Sequence, residues 1–105
     1  MTLSLQTIQP SGIFDGTAAQ SFHGDLAQAL TQNPDAIVVD FRNTSFIDSS
    51  GLGALVSAQK KVRSQGKKLL FCHLNAQIKM IFELTSLDQA FAIFNDLEEV
   101  KQSLT

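Results

Sequence analysis

The chain has 105 residues, of which 44% are hydrophobic and 17% charged, enough for one domain with its own core and too apolar for a disordered segment. Its net charge is −2, and the adjacent pairs Lys60-Lys61 and Lys67-Lys68 are too short for an electrostatic nucleic-acid footprint, so no direct nucleic-acid partner is expected. No apolar run approaches the roughly 20 residues of a membrane span, the start Met1-Thr2-Leu3-Ser4 lacks the cationic head of a signal peptide, and the single Cys72 excludes an internal disulfide or a thiolate zinc site; the expectation is a cytoplasmic domain without metal or membrane partner.

Leu3, Leu5 and Ile8 suggest a first strand, ended by the turn residues Pro10-Ser11-Gly12. Beyond Asp15-Gly16-Thr17, Ala19, Phe22, Leu26, Ala29 and Leu30 recur at helical spacing, with Gln20, Ser21, Asp25 and Gln28 opposite. Asp15 or Thr17 can cap this helix, and Asn33-Pro34 closes it, because the residue before proline avoids the helical region. Ala36-Ile37-Val38-Val39, continuing to Phe41 with only Asp40 interrupting, reads as a central strand buried on both faces.

Further on, Leu52, Leu55, Val56, Gln59 and Val62 form one helical stripe that Gly66 stops. Leu69 to Leu74 is the next strand, after which Asn75 can cap a helix carrying Ile78, Ile81 and Phe82. Ala90 to Phe94 reads as a last strand. Asn95 with Glu98 has the spacing of a capping box opening a final helix with Leu97, Val100 and Leu104. The order β-α-β-α-β-α-β-α predicts an α/β domain over residues 1–105, with a mostly parallel four-stranded sheet, right-handed crossovers and about four helices.

Chemistry concentrates in Asp48-Ser49-Ser50-Gly51-Leu52-Gly53, an acid and two hydroxyls where a helix begins. A helix start offers unpaired amides and favours negative charge, phosphate included. Serine at this place also serves as a cap, and the two glycines can permit close strand–helix packing. Gly51-Leu52-Gly53 lacks the third glycine of a dinucleotide fingerprint, no Gly-Lys-Ser/Thr phosphate loop exists, and no Gly-x-Ser-x-Gly elbow surrounds either serine. With no general base in view for Ser49, no catalytic residue and no enzyme activity are expected. His23 and His73 read as solvated or structurally bonded, and Cys72 as a small core residue. Met80 and Leu84 flank the third helical stripe as core periphery or partner contacts.

Phe46-Ile47-Asp48-Ser49-Ser50-Gly51-Leu52-Gly53-Ala54-Leu55 resembles the signature of the STAS domain, found in bacterial anti-sigma factor antagonists and sulfate-transporter tails. Gly12-Ile13-Phe14-Asp15-Gly16-Thr17 is similar to that family's Gly-x-Leu-Asp-x-x-Thr stretch, and Val38-Val39-Asp40-Phe41 to its hydrophobic strand before the signature. The resemblance implies that Ser49 is phosphorylated, with Asp15, Asp48, Ser50, Gly51, Leu52 and Gly53 as the phosphosite environment and partner-binding residues. It also implies a partner: an anti-sigma factor or switch serine kinase, with a serine phosphatase to reverse the mark and no cofactor. The unphosphorylated form would bind the kinase and release the sigma factor. The alternative is a ligand-sensing module that holds a nucleotide or other anion at the same helix start. The family begins with two strands, and the short run before Gly12 suggests that one is missing or reduced to a short edge strand. Ile13 also replaces a residue that is often polar.

Overall fold

The computed structural model describes residues 3–104. Six strands and five helices follow in the order β1 (Leu5–Ile8), β2 (Ser11–Phe14), α1 (Gly16–Thr31), β3 (Ala36–Asp40), β4 (Asn43–Ile47), α2 (Ser49–Ser64), β5 (Lys68–Cys72), α3 (Ala76–Leu84), α4 (Leu87–Ala90), β6 (Ala92–Phe94) and α5 (Leu97–Ser103). The expected four-stranded parallel sheet is present, ordered β1-β3-β5-β6.

The central strand is β3, with Val38 opposite Thr7 on one side and Leu70 on the other. All five of its residues are buried. Because side chains alternate along a strand, Ile37 and Val39 enter the core packed by α1, α2 and α3, while Ala36 and Val38 face Leu70, Cys72 and Val100 on the α5 side. Two covered faces explain why the run is apolar without alternation. The larger core is threaded by phenylalanine rings. Phe14 meets Phe22 and Phe41 edge-on at 5.4 and 6.1 Å, Phe41 stacks on Phe71 at 6.1 Å, and Phe71 approaches Phe91 at 4.6 Å.

Several boundaries differ from the sequence reading. The N-terminal segment holds two strands, not one: Pro10 breaks β1, and Ser11 then begins β2, which pairs in parallel with β4 as a separate two-stranded sheet. Gly12, inside β2, takes φ +76, a backbone conformation that side-chain-bearing residues rarely adopt, and the β2–β4 register shifts between it and Ile13. The last strand begins at Ala92, because Leu87–Ala90 closes a short helical turn and leaves five helices where about four were expected. The cap of α5 is Asp96, whose carboxylate accepts from Glu99 N at 2.8 Å, and not Asn95. Glu99 in turn accepts from Asn95 N at 2.9 Å and from Asn95 Nδ2 at 3.1 Å, so its carboxylate reaches the residue before the cap and not the cap's own amide, and the expected capping box is not formed.

Other local readings hold. Asp15 caps α1 and Asn75 caps α3. Gly66, at φ +75, ends α2 with bonds from Gly66 N to Arg63 O and from Lys67 N to Val62 O, the paired bonds of a Schellman stop.

Candidate functional site at two adjacent helix starts

The small β2–β4 sheet builds the site. Phe14 stands opposite Ile47 in its ladder, so the next residue on each strand, Asp15 and Asp48, emerges at the same end of the sheet. Asp48 N donates to Phe14 O at 3.3 Å, tying the two exits together. Each aspartate has extended backbone angles and caps its own helix. Asp15 Oδ1 accepts from Ala18 N at 3.0 Å, and Asp48 Oδ1 accepts from Gly51 N at 2.9 Å. Two helices therefore start side by side, each with a carboxylate on its positive end.

This arrangement settles which residue is the cap. Asp48 holds it, and Ser49 and Ser50 are the first two residues of α2, both exposed. Ser50 faces α1: a Cβ placed on Gly16 would lie 3.8 Å from its Cβ, an ordinary contact. The two glycines prove unlike. Gly51 is buried, and a Cβ there would collide with the Phe14 carbonyl oxygen, lie 2.6 Å from Phe14 Cδ1 and 3.0 Å from Ile47 Cγ1. Gly53 is exposed, and a Cβ there would meet nothing within 4 Å. Packing therefore requires the first glycine and leaves the second unexplained. Leu52, half-buried, leans on the core.

The sequence reading missed a neighbouring feature. Ile13 and Phe46 are partners in the β2–β4 ladder, so they stand side by side, and they are 56% and 44% exposed. These are two large apolar side chains left in water, each two residues before a capping aspartate. The signal was present in Ile13, noted only as replacing a polar residue. The segment Asn43–Ile47 was not recognised as a strand, so its outward face could not be assigned.

A second cluster lies at the ends of β3 and β5. Asp40, buried among apolar neighbours, is held by Arg42, with Nε 2.8 Å from Oδ2 and the Arg42 amide 3.0 Å from Oδ1. Arg42 Nη2 also lies 3.1 Å from His73 Nε2. Asp40, Cys72 and His73 place their donor atoms within 4.8 Å of one another. The guanidinium already sits against the carboxylate and imidazole that a metal would need, so the cluster reads as an internal ion pair. Burial, then the Asp40 charge, push the Cys72 thiol up to about 11, which keeps it protonated and unreactive at neutral pH. His23 is exposed on α1.

A family model described as the STAS domain matches residues 4–100. A STAS-domain containing protein of Pseudomonas aeruginosa is 30% identical over 87 residues, covering 83% of this chain and 85% of that protein. An anti-sigma F factor antagonist of Paenibacillus polymyxa is 22% identical over 90 residues, covering 85% of this chain and 77% of its own. Among solved structures, the Bacillus cell fate determinant SpoIIAA in its phosphorylated form superposes with a TM-score of 0.71 at 18% identity, over 98% of this chain and 94% of that one.

Proposed function

The chain belongs to the STAS domain family, and from that premise we propose that it is an anti-sigma factor antagonist switched by phosphorylation of Ser49. The observation that carries this reading is the position of Ser49 as the first residue of α2, exposed, outside the cap that Asp48 supplies, and next to the Ile13–Phe46 surface. Its partner is an anti-sigma factor that is itself a serine kinase, or a related switch kinase, with a serine phosphatase acting in reverse.

The chemistry follows from charge. The unmodified turn carries the Asp15 and Asp48 carboxylates and offers a small neutral hydroxyl beside an apolar pair. Phosphate adds about −1.5 to −2 charges and three acceptor oxygens. The positive end of α2 tolerates that charge, so the fold survives. A partner pressed over Ile13 and Phe46 must then desolvate a phosphate next to two carboxylates, and binding is lost without unfolding. Gly53 lies one helical turn from Ser49 with open space above it, which lets a partner backbone approach closely. The phosphorylated state of the SpoIIAA neighbour agrees with this reading.

An anion held non-covalently at the same helix start is the weaker reading. Asp48 already accepts from Gly51 N, and Asp15 from Ala18 N, so both helix starts are occupied by carboxylates. Isothermal titration with nucleotides checks that point, and no heat is expected. The main test is mass spectrometry after incubation with ATP and candidate partner kinases, followed by binding measurements on both forms. Ser49→Ala should abolish the modification and keep binding, whereas Ser50→Ala should still be phosphorylated. Modification confined to Ser50, or equal affinity of the two forms, overturns the proposal.

A further inference from the structure

We infer that the chain carries a second docking site, a groove at the far end of α2 that takes an acidic, leucine-bearing extended peptide of a partner protein. The groove is about 510 Å³ and lies between the last turns of α2, the starts of β5 and β6, and the end of α5. Arg63 is 14 residues beyond Ser49 on the same helix, about 21 Å along its axis. The groove is thus separate from the phosphosite and does not depend on the role proposed for it.

Three observations define the occupant. The first is charge: among the described residues Arg63, Lys67 and Lys68 line the groove and no acidic side chain does, in a protein whose net charge is −2. Lys67 Nζ also donates to Asn33 Oδ1 at 2.7 Å in an exposed contact outside the groove. The second is an apolar floor, where Leu70, Phe94 and Leu104 meet on the α5 side of the sheet. The third is Gln59. Its amide nitrogen reaches Ala90 O at 3.4 Å, whereas its carbonyl oxygen is buried with no hydrogen-bond partner among the described residues. A buried acceptor left unpaired is costly and marks a place for a donor.

A carboxylate answers the cations, a leucine side chain answers the floor, and a main-chain N–H answers Gln59. A peptide supplies all three at once. A simple fatty carboxylate lacks the N–H, and a nucleic acid strand lacks the aliphatic side chain.

The probe is a fluorescein-labelled octapeptide alternating glutamate and leucine, followed by fluorescence anisotropy at low salt. Saturable binding is expected, with loss of about tenfold or more in Lys67→Glu/Lys68→Glu, since each lost charge-assisted contact is worth that factor. Gln59→Leu should weaken binding several-fold while the fold persists, checked by circular dichroism. In ¹⁵N spectra the amides of residues 67–70 and 90–94 should shift, and those of residues 48–53 should not. The proposal is overturned if the peptide fails to saturate, if a lysine–leucine peptide binds equally well, or if the shifts gather at the Ser49 turn. It is also overturned if dodecanoate binds the groove and the peptide does not.

Discussion

Replacing Gly51 by alanine tests the packing on which the site rests. The new Cβ would overlap the Phe14 carbonyl oxygen, lie 2.6 Å from Phe14 Cδ1 and press Ile47 Cγ1 at 3.0 Å. None of these atoms yields easily. The Phe14 oxygen is bonded to Asp48 N, and the Phe14 ring is wedged against Phe22 and Phe41. Relief therefore requires the first turn of α2 to lift away from β2. Overpacking of this kind costs about 1–3 kcal/mol. Displacing Gly51 N from Asp48 adds about 1 kcal/mol for the weakened cap, and alanine returns about 1 kcal/mol through its better helix propensity.

The net expectation for Gly51→Ala is a loss of about 1–3 kcal/mol, or a melting point lower by roughly 5–15 °C in a domain of this size. Gly53→Ala is the internal control. It sits two residues on, meets nothing, and should gain up to about 1 kcal/mol from propensity alone. The chain has no tryptophan or tyrosine, so unfolding in urea is best followed by far-ultraviolet circular dichroism, with the slope m checked for constancy. A Gly51→Ala protein within about 0.5 kcal/mol of the parent refutes the close approach of α2 to β2.

Val38→Asp places a charge in a side-chain position with no exposure, between Thr7 and Leu70, and should cost several kcal/mol in chemical denaturation; a loss below about 1 kcal/mol refutes its burial. Ser49→Ala should change stability by less than about 0.5 kcal/mol, because the cap belongs to Asp48, while Asp48→Ala should cost about 1 kcal/mol; thermal melts of the pair settle the order. Cys72, an acid whose folded pKa is raised from 9.0 to about 11, contributes stability that is complete below about pH 9 and is lost as pH rises toward about 11. Denaturation midpoints for the parent and Cys72→Ala across that range check the sign: the parent should lose more stability than the variant. The folded protein should also react with thiol reagents at neutral pH only as fast as it opens.

The elements that the sequence made legible are those whose pattern is set by burial. Ala36 to Val39 is apolar on consecutive residues because two layers cover it, and α1 and α2 carry stripes because each buries one face. The small β2–β4 sheet was missed because it satisfies neither pattern. Ser11–Phe14 buries only Phe14, and Asn43–Ile47 buries only Thr44 and Ile47, so no alternation survives to be read. Gly12 in the middle of β2 looked like part of a turn, and it does hold a turn-like φ. The cap of α2 was ambiguous for another reason. Aspartate and serine are comparable N-caps, and in Asp48-Ser49-Ser50 only the end of the ladder at Ile47 decides which of them lies outside the helix.

That last distinction bears on how a switch can be built into a helix start. A serine that caps a helix uses its hydroxyl oxygen to hold the backbone, so a phosphate added there alters the cap itself and the mark and the fold would be coupled. Here Asp48 accepts from Gly51 N, and Ser49 is freed from structural duty. The same division of labour appears in the glycines, where Gly51 serves packing and Gly53 serves none that the fold reveals. It appears again in the small sheet, whose Phe14 and Ile47 enter the core while Ile13 and Phe46 stay in water. In each pair, one residue holds the turn together and its neighbour is left available. On the proposed reading, a charge added at Ser49 would act on what binds the turn and not on what maintains it. The stability measurement on Ser49→Ala and the binding measurement on the phosphorylated protein test the two halves of that separation independently.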